Sequence, residues 1–554
     1  MPIPPAALLR KLEATRLDYG PGRAAEKRRL LDALARARLR TPAQVLRLHE
    51  HLLFVRAYPD DRAVLARAAR MLARFERRAD LRRHRAALAD SGIAGTAIRY
   101  AFFWPTARWL AARWPAQLAI DWDGFEEPER LAAALPQLVT PVEALWLRGA
   151  DVAPRRALAR LRGRRTPDAT FLVRRVAALP GDDFTREAYF DALDTPLVLA
   201  PARGTPSRTH EHHAVAPVAF CTQAPERGRP DIARELARPP RAVRRAPDAE
   251  ARRLIDLGRG AMATRGRDLD AFAYGDPRDV RIVDDGDGLG WAVIGVVPER
   301  RPALRAVYGV LTLRNGVPIG YLDIHVLFGC ADLAYNTFET FRGAEAAFVL
   351  ARLLAALRHL FGATSFTLAP YQLGRDNDEA IASGAWWFYY KLGFRPRSAA
   401  VRRVARAERA RLGANPRHRS AAKTLARLAG DYLYYETAGS RAPHWPSLDL
   451  LGARVASRLA QDGADREAAV RASVRAAMRL LGVARLRGPD ERRAWARWAP
   501  IVAVLPGAAR WPARERRALA RVISAKGGRG EDAYLARFAA HPRLGAALRR
   551  LTGA

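Results

Sequence analysis

The sequence predicts a mixed α/β protein, with a mostly antiparallel sheet at its centre and helical regions at both ends. Three observations point there. Apolar residues recur at helical spacing near both ends of the chain, whereas the middle alternates short β-rich runs with Gly, Asn and Pro. An Asn-Gly pair sits between two such runs at Asn315-Gly316, the strongest short-range signal of a β-hairpin, because both turn residues must tolerate positive φ. At 554 residues the chain also exceeds what one hydrophobic core usually holds, about 250–300 residues.

Taken in order, residues 1–90 read as a helical region. Val64, Leu65, Ala68, Met71, Leu72 and Phe75 mark one amphipathic helix within it. Residues 91–222 mix aromatic text with short apolar runs such as Phe171-Leu-Val and Leu197-Val-Leu, an α/β pattern whose topology the spacing does not fix. Residues 223–247 carry Pro225, Pro230, Pro239, Pro240 and Pro247 without an apolar period and read as a Pro/Arg-rich linker.

Residues 248–400 form the α/β domain. A helix is expected over 248–264, then strands over 291–297, 307–313, 317–326 and 333–338. Leu350, Leu353, Leu354, Leu357 and Phe361 make one face of a helix, followed by a strand over 365–368 and a helix over 380–391. Residues 401–554 read as an almost wholly helical, basic domain.

An apolar fraction of 49% with 27% charged residues is a globular composition. No window approaches the ~18 apolar residues that a membrane-spanning helix needs, and Arg10, Lys11 and Glu13 interrupt any leader-like apolar core, so a cytoplasmic protein without a membrane partner is expected. Cys221 and Cys330 are too few for a disulfide framework or a cysteine zinc site.

The formal charge of +37 is unevenly spread. Residues 398–554 hold +20 of it and residues 291–397 only +3. Arg402, Arg403, Arg406, Arg409, Arg411, Arg417 and Arg419 crowd the start of the C-terminal region. Such a flank is either a solvated face or a surface for nucleic acid or another polyanion, which would be read through phosphate.

Several motif-like stretches have plainer readings. No Gly-Lys-Ser/Thr occurs, which excludes a Walker phosphate loop. Gly286-Asp-Gly288-Leu-Gly290 precedes a strand where a dinucleotide loop must follow one, so it reads as a turn. Asp284, Asp285 and Asp287 lack the bidentate Glu of a calcium loop, and His210-Glu-His212-His213 reads as a solvated loop, so no metal site is assigned. Trp104, Trp109 and Trp114 fall at a spacing that rotates about 140° per step on a helix and so do not share a face. Tyr321, Asp323 and His325 share one face of a strand, opposite Leu322, Ile324 and Val326. An Asp two residues from a His can orient it as a general base, and a plain hairpin surface has the same pattern.

Two further stretches carry a resemblance. Phe388-Tyr389-Tyr390-Lys391-Leu392-Gly393-Phe394 ends a helix and starts a strand, and residues 331–347 run strand, loop, helix through Arg342-Gly343-Ala344-Glu345-Ala346-Ala347. Together with the element order over residues 307–396, under a fifth of the chain, they resemble the GNAT superfamily of acyl-CoA-dependent N-acyltransferases.

The resemblance implies a GNAT-like sheet and transfer of an acyl group from a thioester, acyl-CoA, to an amine of unknown identity. It implies Tyr389 as the acid at the leaving thiolate, Glu339 or the Asp323/His325 pair as the base, and residues 342–347 as the pyrophosphate cradle. Glu345 stands where the family has its central Gly, so a carboxylate is expected beside the pyrophosphate, weakening the donor's hold. Asn377 lies twelve residues before Tyr389 where the family usually has its Asn at six or seven, which implies an inserted turn or a role for Ser383. A non-catalytic protein of this fold, binding polyanions through its basic flanks, is the alternative.

Overall fold

The computed structural model describes residues 3–149, 152–226, 228–415, 417–440, 447–463 and 465–553. Its strands are β1 (Ile98–Tyr100), β2 (Leu118–Ile120), β3 (Leu197–Leu199), β4 (Ala242–Arg245), β5 (Gly275–Gly286), β6 (Leu289–Val296), β7 (Ala306–Arg314), β8 (Val317–Leu327), β9 (Cys330–Thr337), β10 (Ser365–Leu368), β11 (Arg395–Pro396) and β12 (Leu433–Glu436). The first three form a small antiparallel sheet in the order β1-β3-β2. The other nine form one large sheet, β11-β12-β10-β9-β8-β7-β6-β5-β4, antiparallel throughout except where β9 meets β10. The mixed α/β class with a mostly antiparallel sheet is what the sequence predicts.

The Asn315-Gly316 turn closes the β7/β8 hairpin with φ of 47° and 75°, the doubly positive turn that the strand twist favours. Gly316 is obligatory for a second reason: a Cβ there would fall 1.8 Å from the His213 carbonyl oxygen. Asn315 locks the turn to its surroundings, since its Nδ2 donates to the carbonyls of Ala57 and Ala219 and its Oδ1 accepts from the Ala219 N–H, all at 2.9 Å. β7 is buried along its whole length, as its continuous apolar run requires.

One apolar core runs from Leu8 in the first helix through the large sheet to Leu551 in the last, and a second surrounds the small sheet. Residues 1–90, 248–400 and 401–554 therefore pack as one body. Residues 223–247 are no bare linker: they supply the helix Ile232–Ala237 and the edge strand β4, whose four residues are all exposed and so leave no alternation to detect. Arg352, fully buried, fixes them by donating to the Glu235, Arg238 and Pro239 carbonyls and to both oxygens of Asp285.

The C-terminal region is not purely helical either, because its β12 inserts between β10 and β11. The helix expected over 380–391 breaks at Gly384, φ 67°, into Asp378–Ser383 and Ala385–Lys391. Phe171-Leu-Val lies inside the helix Asp168–Ala177. Among the described residues no helix is long and apolar enough to cross a membrane.

Candidate active site

β9 and β10 run parallel and pair over only three positions, Cys330 with Ser365, Ala331 with Phe366 and Asp332 with Thr367. Beyond them β9 continues to Thr337, paired with β8 on its other edge, while β10 ends at Leu368 and its chain turns into the helix Pro370–Leu373. The strands part, and a cavity of about 750 Å³ fills the gap. Its walls come from β8, the open edge of β9, the 342–347 loop and the two short helices on either side of Gly384.

Asp323 stands on the β8 wall. Its Oδ1 is buried without a hydrogen-bond partner among the described residues. Burial, reinforced by the nearby Asp270 and Asp332 carboxylates, pushes its pKa up to about 7. A carboxylate in that condition exchanges its proton near neutrality.

Tyr389 forms part of the opposite wall. It is 4% exposed and its hydroxyl donates to the Tyr335 carbonyl at 3.4 Å. Burial first, then the Tyr335 and Tyr321 phenols, hold its pKa well above the ordinary tyrosine value, so it stays protonated at neutral pH. The local sequence fixes its position: Gly393 takes φ 103°, letting the Phe394 N–H turn back to the Tyr389 carbonyl at 3.2 Å, while the Phe394 ring packs edge-on against Tyr389.

The loop Arg342-Gly343-Ala344-Glu345-Ala346-Ala347 leads into the helix Ala346–Phe361 and lines the cavity. Gly343 has φ 84°, with open space where a side chain would stand. Glu345, at the N-cap, makes no side-chain cap bond, which leaves the first-turn N–H groups to water or a ligand. Glu345 has partners of its own within the fold. Its side chain is 6% exposed and turns under the helix, where Oε1 accepts from the Tyr58 hydroxyl at 3.1 Å and lies 3.4 Å from Arg314 Nη1. The carboxylate is spent on two residues that the local pattern could not reveal.

At the mouth of the cavity, Glu379 bridges Arg342 at 2.6 Å and Arg267 at 2.7 Å, and Arg267 also donates to the Tyr321 hydroxyl at 3.1 Å. Both arginines oppose the burial of Glu379 and hold its carboxyl below the usual range. Arg267, Glu379 and Tyr335 escaped the sequence reading because no local motif marks them. Asn377 is used as a helix cap, its Oδ1 accepting from the Ala380 N–H at 3.1 Å, and Ser383 donates to the Ala380 carbonyl; both line the cavity.

The structure thus gathers Asp323, Tyr389 and residues 342–347 around one cavity. It leaves His325 and Glu339 off the cavity wall. His325 shares the β8 face with Asp323, yet its Nδ1 lies 3.1 Å from Arg305 Nη1, and burial together with that guanidinium lowers its pKa to about 4. Glu339 is exposed on the turn Glu339–Phe341.

Elsewhere, the 286–290 segment is the β5/β6 turn, with Asp287 and Gly288 at positive φ. The His210–His213 loop is packed rather than solvated: Glu211 is buried and accepts from Thr264 and Arg265, and the His213 N–H donates to the Gly316 carbonyl. Arg402, Arg403, Arg406, Arg409 and Arg411 line the exposed side of the helix Ala399–Ala414, whose Val401, Ala405 and Glu408 face inward. Compared with protein families, curated proteins and solved structures, the chain finds no match.

Proposed function

We propose that this cleft transfers an acyl group from a thioester, acyl-CoA in the first instance, to an amine. One observation carries the reading. A half-buried carboxylate that exchanges its proton near pH 7 and a buried phenol that keeps its own line the same cavity, opened where two parallel strands part. General acid–base chemistry needs that pair of opposed proton affinities. The resemblance over residues 307–396 supplies the reaction class.

Asp323 accepts the proton of the attacking amine. The new carbon–nitrogen bond forms as the carbon–sulfur bond breaks, and Tyr389 protonates the departing sulfur. Solvent then returns the proton from the Asp323 carboxyl to the Tyr389 phenolate, so the cycle closes with one amide and one thiol. The donor fits the residues present: the uncapped first turn of the Ala346–Phe361 helix and the open space at Gly343 suit a diphosphate, and Arg342 stands beside them. Asp323 takes the part of base in preference to Glu339 and His325, which lie off the cavity wall.

The test is incubation of the full chain with acetyl-CoA or longer acyl-CoA and a panel of primary amines, with free thiol and amide product measured together. Equal amounts of both are expected, and Tyr389→Phe should lower turnover by roughly 10–100-fold with unchanged circular dichroism. Thiol release without amide, or turnover untouched by Tyr389→Phe, contradicts the reading.

A further inference from the structure

A second cavity, of about 680 Å³, opens where the helix Trp104–Arg113, the segment after β6 and the helix Pro489–Val504 meet. Arg108, Arg259, Arg300, Arg493 and Arg497 line it, against Asp182, Asp183 and Glu299. At the rim Arg108 pairs with Asp183 at 3.2 Å and Arg493 with Glu299 at 2.8 Å and Asp490 at 2.9 Å, solvent-accessible pairs of small net energy that a phosphate can exchange, while the acids do not neutralise the deeper cations. Arg497 spends its donors on the carbonyls of Pro298 at 2.8 Å, Arg301 at 2.6 Å and Glu299 at 2.5 Å. Arg259 likewise donates to the Phe272 and Ala273 carbonyls at 3.3 and 2.8 Å, with Asp256 no closer than 3.6 Å. Carbonyl oxygens position a guanidinium without cancelling its charge, so the groove keeps a positive field.

Aromatic rings stand within that field. The Arg300 guanidinium lies 3.9 Å from the Phe184 ring centre and 4.1 Å from that of Tyr274, and it pairs with Glu187. Phe184 is nevertheless 50% exposed. Among the described residues, Arg300 Nη2 and Trp109 Nε1 are buried with no hydrogen-bond partner, two donors that the protein itself leaves unsatisfied. Buried polar groups seldom stay unpaired unless a ligand or water completes them.

We propose that this groove binds a nucleotide, its base laid on the exposed ring of Phe184 and its phosphate among Arg108, Arg300 and Arg493. A guanidinium fork matches a phosphate, an open aromatic ring matches a base of any identity, and the volume suits a ligand of that size. A free nucleotide and the end of a single strand present the same chemistry. The site is separate from the acyl-transfer cleft and stands whether or not that reading does.

Binding of ATP, of a single-stranded oligonucleotide of about ten nucleotides and of inorganic phosphate to the full chain is measured by titration at several salt concentrations. ATP or the oligonucleotide should bind at least about tenfold more tightly than phosphate, with log affinity falling linearly in log salt. Phe184→Ala, and independently the exposed-site variant Arg108→Gln, should each weaken binding about tenfold or more, while Arg62→Gln, at an exposed arginine outside both cavities, leaves it unchanged. A tighter oligonucleotide with a steeper salt slope assigns the groove to a strand end, and equal affinities assign it to the free nucleotide. Failure of both to bind, phosphate binding as well as ATP, or loss of binding in Arg62→Gln with Phe184→Ala unaffected would each overturn the proposal.

Discussion

The large sheet holds one carboxylate near its edge and another in its middle, and treats them in opposite ways. On β5, beside the edge strand β4, Asp285 receives both forks of the fully buried Arg352, at 2.8 and 2.6 Å, and the same guanidinium clamps three carbonyls of residues 235–239. On β8, the middle strand, Asp323 has a buried oxygen with no partner among the described residues and a pKa pushed up to about 7. A satisfied buried ion is architecture; an unsatisfied one beside a cavity is a stability cost retained where chemistry uses it. Glu345 shows that a carboxylate beside the cleft can still belong to the first kind, held by Tyr58 and Arg314.

The comparison breaks if the two carboxylates respond alike to removal. The largest effect is expected in the cleft, where Asp323→Asn should slow acyl transfer by about 10²–10⁴-fold, measured as thiol release, without lowering the thermal midpoint. On β5, Arg352→Met should leave Asp285 buried with only the Arg238 guanidinium at 3.9 Å and cost about 3 kcal/mol in denaturant unfolding. Turnover per folded molecule should be unchanged in that variant.

The pH dependence of stability sharpens the contrast. The folded pKa of Asp323 lies above the unfolded carboxylate value of about 4, so its contribution is most favourable below pH 4 and is lost as pH rises towards 7. The loss is on the order of 2–4 kcal/mol, and Asp323→Asn should abolish it, making the variant the more stable protein at pH 8. The smallest change is expected at Glu345→Gln, which keeps the volume and removes the charge facing Arg314, costing about 2 kcal/mol by chemical denaturation. A gain in stability there would mean that the pair is not what holds Glu345 away from the cleft.

What the sequence made legible is what neighbouring residues decide. Asn315-Gly316 named its turn, the 365–368 run named β10, and the Leu350 to Phe361 spacing named the helix behind the cradle. Two strands were lost for different reasons: β4, at the sheet edge, is exposed at every residue and leaves no pattern, while β12, seated between β10 and β11, is only four residues set in helical text. In the cleft, the sequence marked Asp323, Tyr389 and the 342–347 loop as candidates, but not which carboxylate was free. That depends on Arg314, Tyr58 and Arg305, partners brought close by the fold and invisible to any local window.

The most direct measurement is the pH–rate profile of thiol release from acetyl-CoA, for wild type and Asp323→Asn, with an amine acceptor present in excess. The wild-type rate should rise about tenfold per pH unit below the Asp323 pKa of about 7 and level off above it, while the variant should lack that rise. A wild-type profile that is flat between pH 5 and 8, or an Asp323→Asn profile that still climbs to the same plateau, would contradict the assignment of Asp323 as the base.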